Sequence, residues 1–330
     1  MLISDNLKHL LQVLADGHFH SGTELARVLA VSRTAVWKHL QSLAELGIDV
    51  VGVHGKGYRL QKPLQLLDAG QIEAHLDARI VPLLRGIDIH AVIASTNAYL
   101  MEIANRSQIS GRVCLAEYQT AGKGRRGRAW VSPFGHNIYL SIVWHYPGGP
   151  AAIAGLSLAV GIAVVRALRK LGIDEVNLKW PNDIYWRGRK LAGILIEVSG
   201  ESGGPCHAVI GLGLNVYLPG RQAETIEQAW VDLQQIAGDE IIWQRNRLVA
   251  LLLNEMLPII AGFEPAMLRN HVEEWREYDC MRGREATLFI GQQRFDGVVR
   301  GIDDQGLLLM ESGEGDIRAF ASGEVSFRAS

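Results

Sequence analysis

Cysteine is scarce in this chain of 330 residues: Cys114, Cys206 and Cys280 lie far apart, and no CxxC occurs. That excludes a disulfide framework and a zinc knuckle and fits reduced thiols in a cytoplasmic protein. The eleven histidines lack HExxH or a similar ligand spacing, so neither structural nor catalytic zinc is expected and no metal ligands are assigned. An excess of one charge is also missing. With a formal net charge of −2, any nucleic acid or membrane surface would have to be met by local charge. The most apolar run, beginning "PAAIAGLSLAVGIAVV", is uncharged only from Pro150 to Val165. It falls short of the roughly 20 residues that cross a bilayer and is diluted by Ala and Gly, so a buried core helix is expected and no membrane partner. The N-terminal "MLISDNLKHLLQVLADG" has early acidic residues and no apolar signal core, which again points to the cytoplasm. GxxxxGK[ST] is absent as well, excluding a P-loop.

What is present suffices for two or three soluble domains, since 48% of residues are hydrophobic and 21% charged, an ordinary balance for a chain that buries a core. Leu7, Leu10, Leu11 and Leu14 recur at helical spacing before Gly17. In "SGTELARVLAVSRTAVWKHLQSLAELG" a Ser21/Glu24 capping box opens a short helix, and Ser32 caps a second one after the turn. That is the length and punctuation of a helix-turn-helix. Val36, Leu40 and Leu43 face inward, leaving Arg33, Thr34, Trp37, Lys38 and Gln41 on the outer side for a DNA groove and its phosphates. "IDVVGVHGKGYRL" reads as two short strands joined at a tip, His54 to Gly57, that carries Lys56: a wing. Residues 1–62 hold seven Lys or Arg against five Asp or Glu, a thin basic footprint, so protein contact or dimerisation remains the alternative to DNA binding. Pro63 marks the exit, with Asp68 as the N-cap of a connecting helix.

Beyond it, "IDIHAVI" is strand-like, and "STNAYLMEIANR" places Ser95, Thr96 and Asn97 at a helix N-terminus. There, hydroxyls, an amide and free N–H groups converge on a carboxylate or ureido-type ligand, or simply cap the helix. The strand "GRVCLAEYQT" leads into "AGKGRRGRAW", whose Lys123, Arg125, Arg126 and Arg128 sit among glycines. "GKGRRG" matches the GxGxxG spacing, but the chain continues through Ser-Pro and Phe-Gly turns into a strand rather than a helix, so a dinucleotide-binding turn is excluded. A basic loop between two strands remains, either simply solvated or with phosphate as its natural counter-charge. After a long helix, "VNLKWPNDIYW", "RKLAGILIEVSG" and "HAVIGLGLNVY" are strand-like, and their joints carry Lys179, Asn182, Asp183, Lys190 and Asn215. Polar groups bordering apolar strands suggest a site on one face of a mixed sheet, although "PND" would also serve as a plain turn. Residues 245–278 read as two helices divided near Glu264-Pro265, and "REATLFI", "RFDGVVRGI" and "GLLLMES" read as strands of a small β-barrel.

The winged helix, "STN", "EYQTAGKGRRGRAWVSPFG", "KWPND", "RKLAGIL", "GLGLN" and "SGEVSFR", in that order over nearly the whole chain, resemble the biotin–protein ligases, specifically the bifunctional kind that also represses the biotin operon. The resemblance implies an α/β (α+β) architecture in three parts. These are a winged-helix DNA-binding domain over 1–63, a class II synthetase-like biotin/ATP-binding ligase domain over 64–278, and an SH3-like domain over 279–330. It implies the substrates biotin and ATP with Mg²⁺, biotinyl-5′-AMP as intermediate and corepressor, and transfer of biotin to a lysine of the biotin carboxyl carrier subunit of acetyl-CoA carboxylase. Operator DNA and a homodimer formed on binding the adenylate are the further partners. It assigns biotin to Ser95, Thr96, Asn97, Gln119, Lys123, Gly124, Arg125 and Lys190, and the adenylate to Gly122, Arg128, Asn215, Trp230 and Arg328. Arg125 and Lys190 would stabilise charge in the adenylating step, and Asp183 would orient or deprotonate the acceptor lysine. Lys123 departs from the family's usual GRGRRGR, keeping the charge but losing the planar fork. A biotin-sensing factor without catalysis, or a ligase whose winged helix no longer regulates, are the alternatives.

Overall fold

The computed structural model describes residues 4–62, 64–106, 109–200 and 203–327. Helices α1 (Asp5–Leu14), α2 (Gly22–Val28) and α3 (Arg33–Glu45) precede the wing strands β1 (Val50–Val53) and β2 (Gly57–Leu60). The local signals act as expected. Ser21 and Glu24 form a reciprocal capping box at α2, Ser32 Oγ accepts from Ala35 N at α3, and Gly17 ends the first helical turn sequence with φ +74°. Leu7, Leu10, Leu11 and Leu14 pack on Val36, Leu40 and Leu43, and Arg33, Thr34, Trp37, Lys38, Gln41 and Lys56 are all exposed. Pro63, the boundary expected from the sequence, lies outside the described residues. Asp68 caps the short α4 (Ala69–Glu73), its Oδ1 accepting from Gln71 N at 2.8 Å.

The central sheet has the order β3-β4-β5-β9-β8-β7-β6, built from β3 (Gly86–Ile93), β4 (Arg112–Gln119), β5 (Ile138–Tyr146), β6 (Val176–Lys179), β7 (Asp183–Trp186), β8 (Arg189–Gly200) and β9 (Cys206–Leu214). Only β3 and β4 run parallel, joined by α5 (Thr96–Ala104), because a parallel pair needs a crossover element. "VNLKWPNDIYW" is thus two strands rather than one, a β6–β7 hairpin turning at Trp180–Asn182. One sheet face carries Leu140, Ile142, Ile210 and Leu212 against α6 (Leu156–Arg169) and α9 (Arg245–Gly262). The opposite face, with Val143 and Val209, receives α5. By length and hydropathy the stretch Pro150–Arg169 would cross a membrane, but 61% of its apolar window is buried inside the protein, so it serves as the core helix.

The short helices α7 (Gly220–Ala223) and α8 (Leu233–Ala237) lead to α9, and α10 (Arg269–Tyr278) precedes the C-terminal sheet. That sheet is antiparallel with order β13-β12-β11-β10-β14. It adds β13 (Ile317–Phe320) and β14 (Glu324–Phe327) to the three strands expected there, β10 (Glu285–Ile290), β11 (Gln293–Ile302) and β12 (Leu308–Glu311).

Candidate active site

A cavity of about 760 Å³ opens on the α5 face of the central sheet. Alternation explains its floor: Ser141, Gly211 and Gly213 point to this face while Leu140, Ile210 and Leu212 point to the core. A Cβ on Gly213 would stand 2.4 Å from the Trp130 ring, and one on Gly211 would stand 2.2 Å from Asn97 Oδ1. The alternate glycines of "GLGLN" therefore make room for the site's own side chains.

The N-terminus of α5 closes one end. Ser95 Oγ accepts from Ala98 N at 3.4 Å. Thr96 N and Oγ1 donate to Gln119 Oε1 at 2.9 and 3.3 Å, and Gln119 Nε2 donates to Ser132 Oγ at 3.3 Å. Ser141 Oγ lies 2.7 Å from Thr96 Oγ1 and 2.6 Å from Asn97 Oδ1, while Asn97 Nδ2 donates to Glu197 Oε2 at 2.8 Å. Ser95 thus caps the helix while Ser95, Thr96 and Asn97 all line the site. Their buried positions fix donors and acceptors in advance, the arrangement a small polar ligand needs.

Lys190 reaches the same face through a bulge. Ile184 pairs with Ala192 and Tyr185 with Lys190, so Leu191 is an extra residue in β8. Unbroken alternation would send Lys190 into the core beside Ala192 and Ile194; the bulge turns it to the cavity. There Nζ lies 2.9 Å from Asp183 Oδ1 and 5.6 Å from the Trp130 ring centroid. Lys190 N donates to Ala229 O, and Val231 N donates to Lys190 O, both at 2.9 Å. This ladder carries Trp230 along the cavity wall. Asn215 Nδ2 secures the same segment by donating to Val231 O at 3.1 Å.

The basic loop lines one side of the cavity. Trp130 N donates to Gly122 O at 2.9 Å and Gly124 N to Arg128 O at 2.7 Å, closing a hairpin whose tip is Arg125–Gly127. Arg125 is half-buried and donates to Asn182 Oδ1 at 3.0 Å and Gly323 O at 3.1 Å. Burial lowers its pKa while Asp183 opposes that shift. Lys179 is likewise lowered, chiefly by burial, with Asp183 raising and Lys190 lowering.

Of the residues singled out in the sequence, Ser95, Thr96, Asn97, Gln119, Lys123, Gly124, Arg125, Arg128, Asp183, Lys190, Asn215 and Trp230 all line this cavity. Gly122 is buried behind it, a Cβ there meeting Ser132 Oγ at 2.8 Å, so it shapes the loop's base. Arg328 lies outside the described residues. Trp130, Gly193, Gly213 and Glu324, which carry no expected role in the sequence, also line the cavity. The paired glycines of "LAGIL" and "GLGLN", which face each other as Gly193↔Gly213, were the signal available.

Residues 6–59 match a helix-turn-helix domain, 89–215 the biotin/lipoate A/B protein ligase family, and 283–328 the biotin protein ligase C-terminal domain. The chain is 45% identical to the bifunctional ligase/repressor BirA of Salmonella typhimurium over 97% of both chains. It is also 45% identical to that of Escherichia coli over 97% of this chain and 96% of the relative. A biotin protein ligase from Aquifex aeolicus, solved with biotin and ATP, superposes with a TM-score of 0.62 at 27% identity, covering 75% of this chain and all of the other. With a helix-turn-helix, a ligase sheet and a ligase C-terminal sheet in one chain, this protein belongs to the bifunctional biotin ligase/repressor family.

Proposed function

We propose that the protein joins biotin to ATP as biotinyl-5′-AMP, passes biotin to a lysine of the biotin carboxyl carrier subunit of acetyl-CoA carboxylase, and represses biotin synthesis with the adenylate as corepressor. The observation that carries this reading is the convergence of Lys190, Arg125 and the buried Ser95–Asn97 helix end on one cavity. Biotin's ring system takes the polar groups of Ser95, Thr96, Asn97 and Gln119, and its carboxylate points to Lys190. The adenosine half lies along Asn215 and Trp230, the indole giving adenine a stacking face.

In the first step a biotin carboxylate oxygen attacks the α-phosphorus and pyrophosphate leaves. Two anions must approach each other, so Lys190 and Arg125 offset the repulsion and stabilise the charge of the transition state. Lys123, Gly124 and Arg128 complete the lid over a mixed anhydride that water would hydrolyse. Among the described residues no acidic or histidine cluster could cage a metal. Mg²⁺ bound with ATP would supply counter-charge for the departing pyrophosphate. In the second step the acceptor amine attacks the acyl carbon and AMP leaves. Asp183, beside Lys190, orients the incoming ammonium and accepts its proton. An Asp183→Asn protein should form adenylate yet transfer biotin from preformed adenylate about a hundredfold more slowly. Transfer at the normal rate removes the base role.

The chain divides for these tasks into 1–63, 64–278 and 279–330. The exposed Arg33, Thr34, Trp37, Lys38 and Gln41 on α3, with Lys56 on the wing, face operator DNA. Adenylate binding favours a cytoplasmic homodimer whose paired winged helices match a palindrome.

A further inference from the structure

The polar groups at the N-terminus of α5 form one chain that ends on a carboxylate outside the cavity. Glu197 stands on β8 opposite Val209, on the α5 face of the sheet, yet it does not line the cavity. Its Oε2 accepts from Asn97 Nδ2 at 2.8 Å, and Leu195 O accepts from the same nitrogen at 3.2 Å. An ionised carboxylate and a carbonyl only accept, so the two N–H groups of Asn97 must face them. Asn97 Oδ1 is left facing Ser141 Oγ at 2.6 Å. That amide oxygen carries no proton, so Ser141 donates to it. Ser141 has one proton only, so its 2.7 Å contact with Thr96 Oγ1 is made by the threonine's proton. The 3.3 Å approach of Thr96 Oγ1 to Gln119 Oε1 is the long arm of the same donation. Both hydroxyl protons are thereby turned away from the cavity, and Thr96, which lines it, offers it lone pairs alone. Thr96, Asn97 and Ser141 are all buried, so reversing the chain would leave buried acceptors facing one another.

We propose that Glu197 is a positioning residue for ligand recognition: by fixing the amide of Asn97 it sets the direction of the Asn97–Ser141–Thr96 chain and makes Thr96 Oγ1 an acceptor for an N–H of the ligand. This rests on the reading of the Ser95–Asn97 helix end as the biotin subsite, and it specifies that Thr96 takes a ureido N–H rather than the ureido carbonyl. An isosteric but neutral glutamine can present either end of its amide to Asn97. In Glu197→Gln the chain can therefore run both ways, and Thr96 loses its fixed polarity. A charge outside the cavity thus acts on specificity through neutral groups that polarise one another.

Calorimetry on the full-length protein, with biotin and with the two cyclic carbamates in which oxygen replaces one ureido N–H, tests this. The unaltered protein should bind one of the carbamates about tenfold more weakly than biotin, or worse, because its oxygen would face the lone pairs of Thr96. Glu197→Gln should shrink that ratio to about twofold. General loosening of the site would weaken both ligands alike and leave the ratio as it was. Ser141→Ala, which cuts the chain, should lower the ratio by itself, and Glu197→Gln added to it should change nothing further. Equal binding of biotin and both carbamates by the unaltered protein overturns the acceptor role of Thr96, and an unchanged ratio in Glu197→Gln overturns the positioning role. The side-chain amide of Asn97 gives a readout without ligand. Its Nδ2 proton resonance, identified by its absence from Asn97→Asp, should move upfield in Glu197→Gln as a charged acceptor gives way to a neutral one. A resonance that stays in place overturns the proposal, whereas failure of the unaltered protein to bind biotin, with the resonance moving as expected, strikes the biotin reading alone.

Discussion

At the scale of single residues, chemistry in this site depends on where small residues stand and where alternation breaks. The bulge at Leu191 puts Lys190 beside Asp183, and Gly193 with Gly213 leaves a slot that Trp130 fills. Gly213→Ala should therefore push the indole into the ligand's space. Because the displaced indole can relax into the cavity rather than strain the core, the cost falls on ligand binding, and biotin affinity measured by calorimetry should fall by roughly tenfold or more, about 1.4 kcal/mol. Unchanged affinity would mean that Trp130 does not shape the pocket. Ser95, Thr96, Asn97, Asp183 and Lys190 were legible in the sequence because polar residues at strand and helix ends are conspicuous. Trp130 and Glu324 were not, since an aromatic beside a loop and a carboxylate on a distant strand acquire meaning only when the chain brings them together.

At the scale of elements, the segment after the winged helix is tied down by α9. Arg245, buried, donates to Gln65 O and to Asn137 O and pairs with Glu117 at 2.8 Å. Glu117 in turn accepts from Leu67 N. Asn246 and Asn254 accept from Asp68 N and Asp77 N, both at 2.9 Å. Removing one partner of a buried pair leaves a charge without compensation, so Arg245→Ala should cost about 3–5 kcal/mol of stability in urea unfolding. A loss below about 1 kcal/mol would show that the pair adds nothing to the linker's anchorage. Helix periodicity and caps made α1, α2, α3, α5 and the central strands readable. The linker's tether was not readable, because Glu117 and Arg245 are 128 residues apart and neither looks unusual locally.

For the whole molecule, the winged-helix core continues through Phe134 and packs against Val92 and Tyr118 at the ends of β3 and β4. The winged helix thus rests on the strands that lead into the cavity-lining Ser95 and Gln119. Arg33 and Lys38 are exposed and do not line the cavity. Replacing both with Ala should abolish operator binding by gel shift and leave biotin transfer within about twofold. Loss of both activities together would contradict separable roles.

The role proposed for Lys190, held by Asp183 on the cavity face, is to support formation of biotinyl-5′-AMP. Biotin-dependent exchange of labelled pyrophosphate into ATP measures that step alone. The unaltered protein should show exchange, and Lys190→Gln a fall of roughly a hundredfold or more with the fold retained. No exchange by the unaltered protein, or undiminished exchange in the variant, would contradict it.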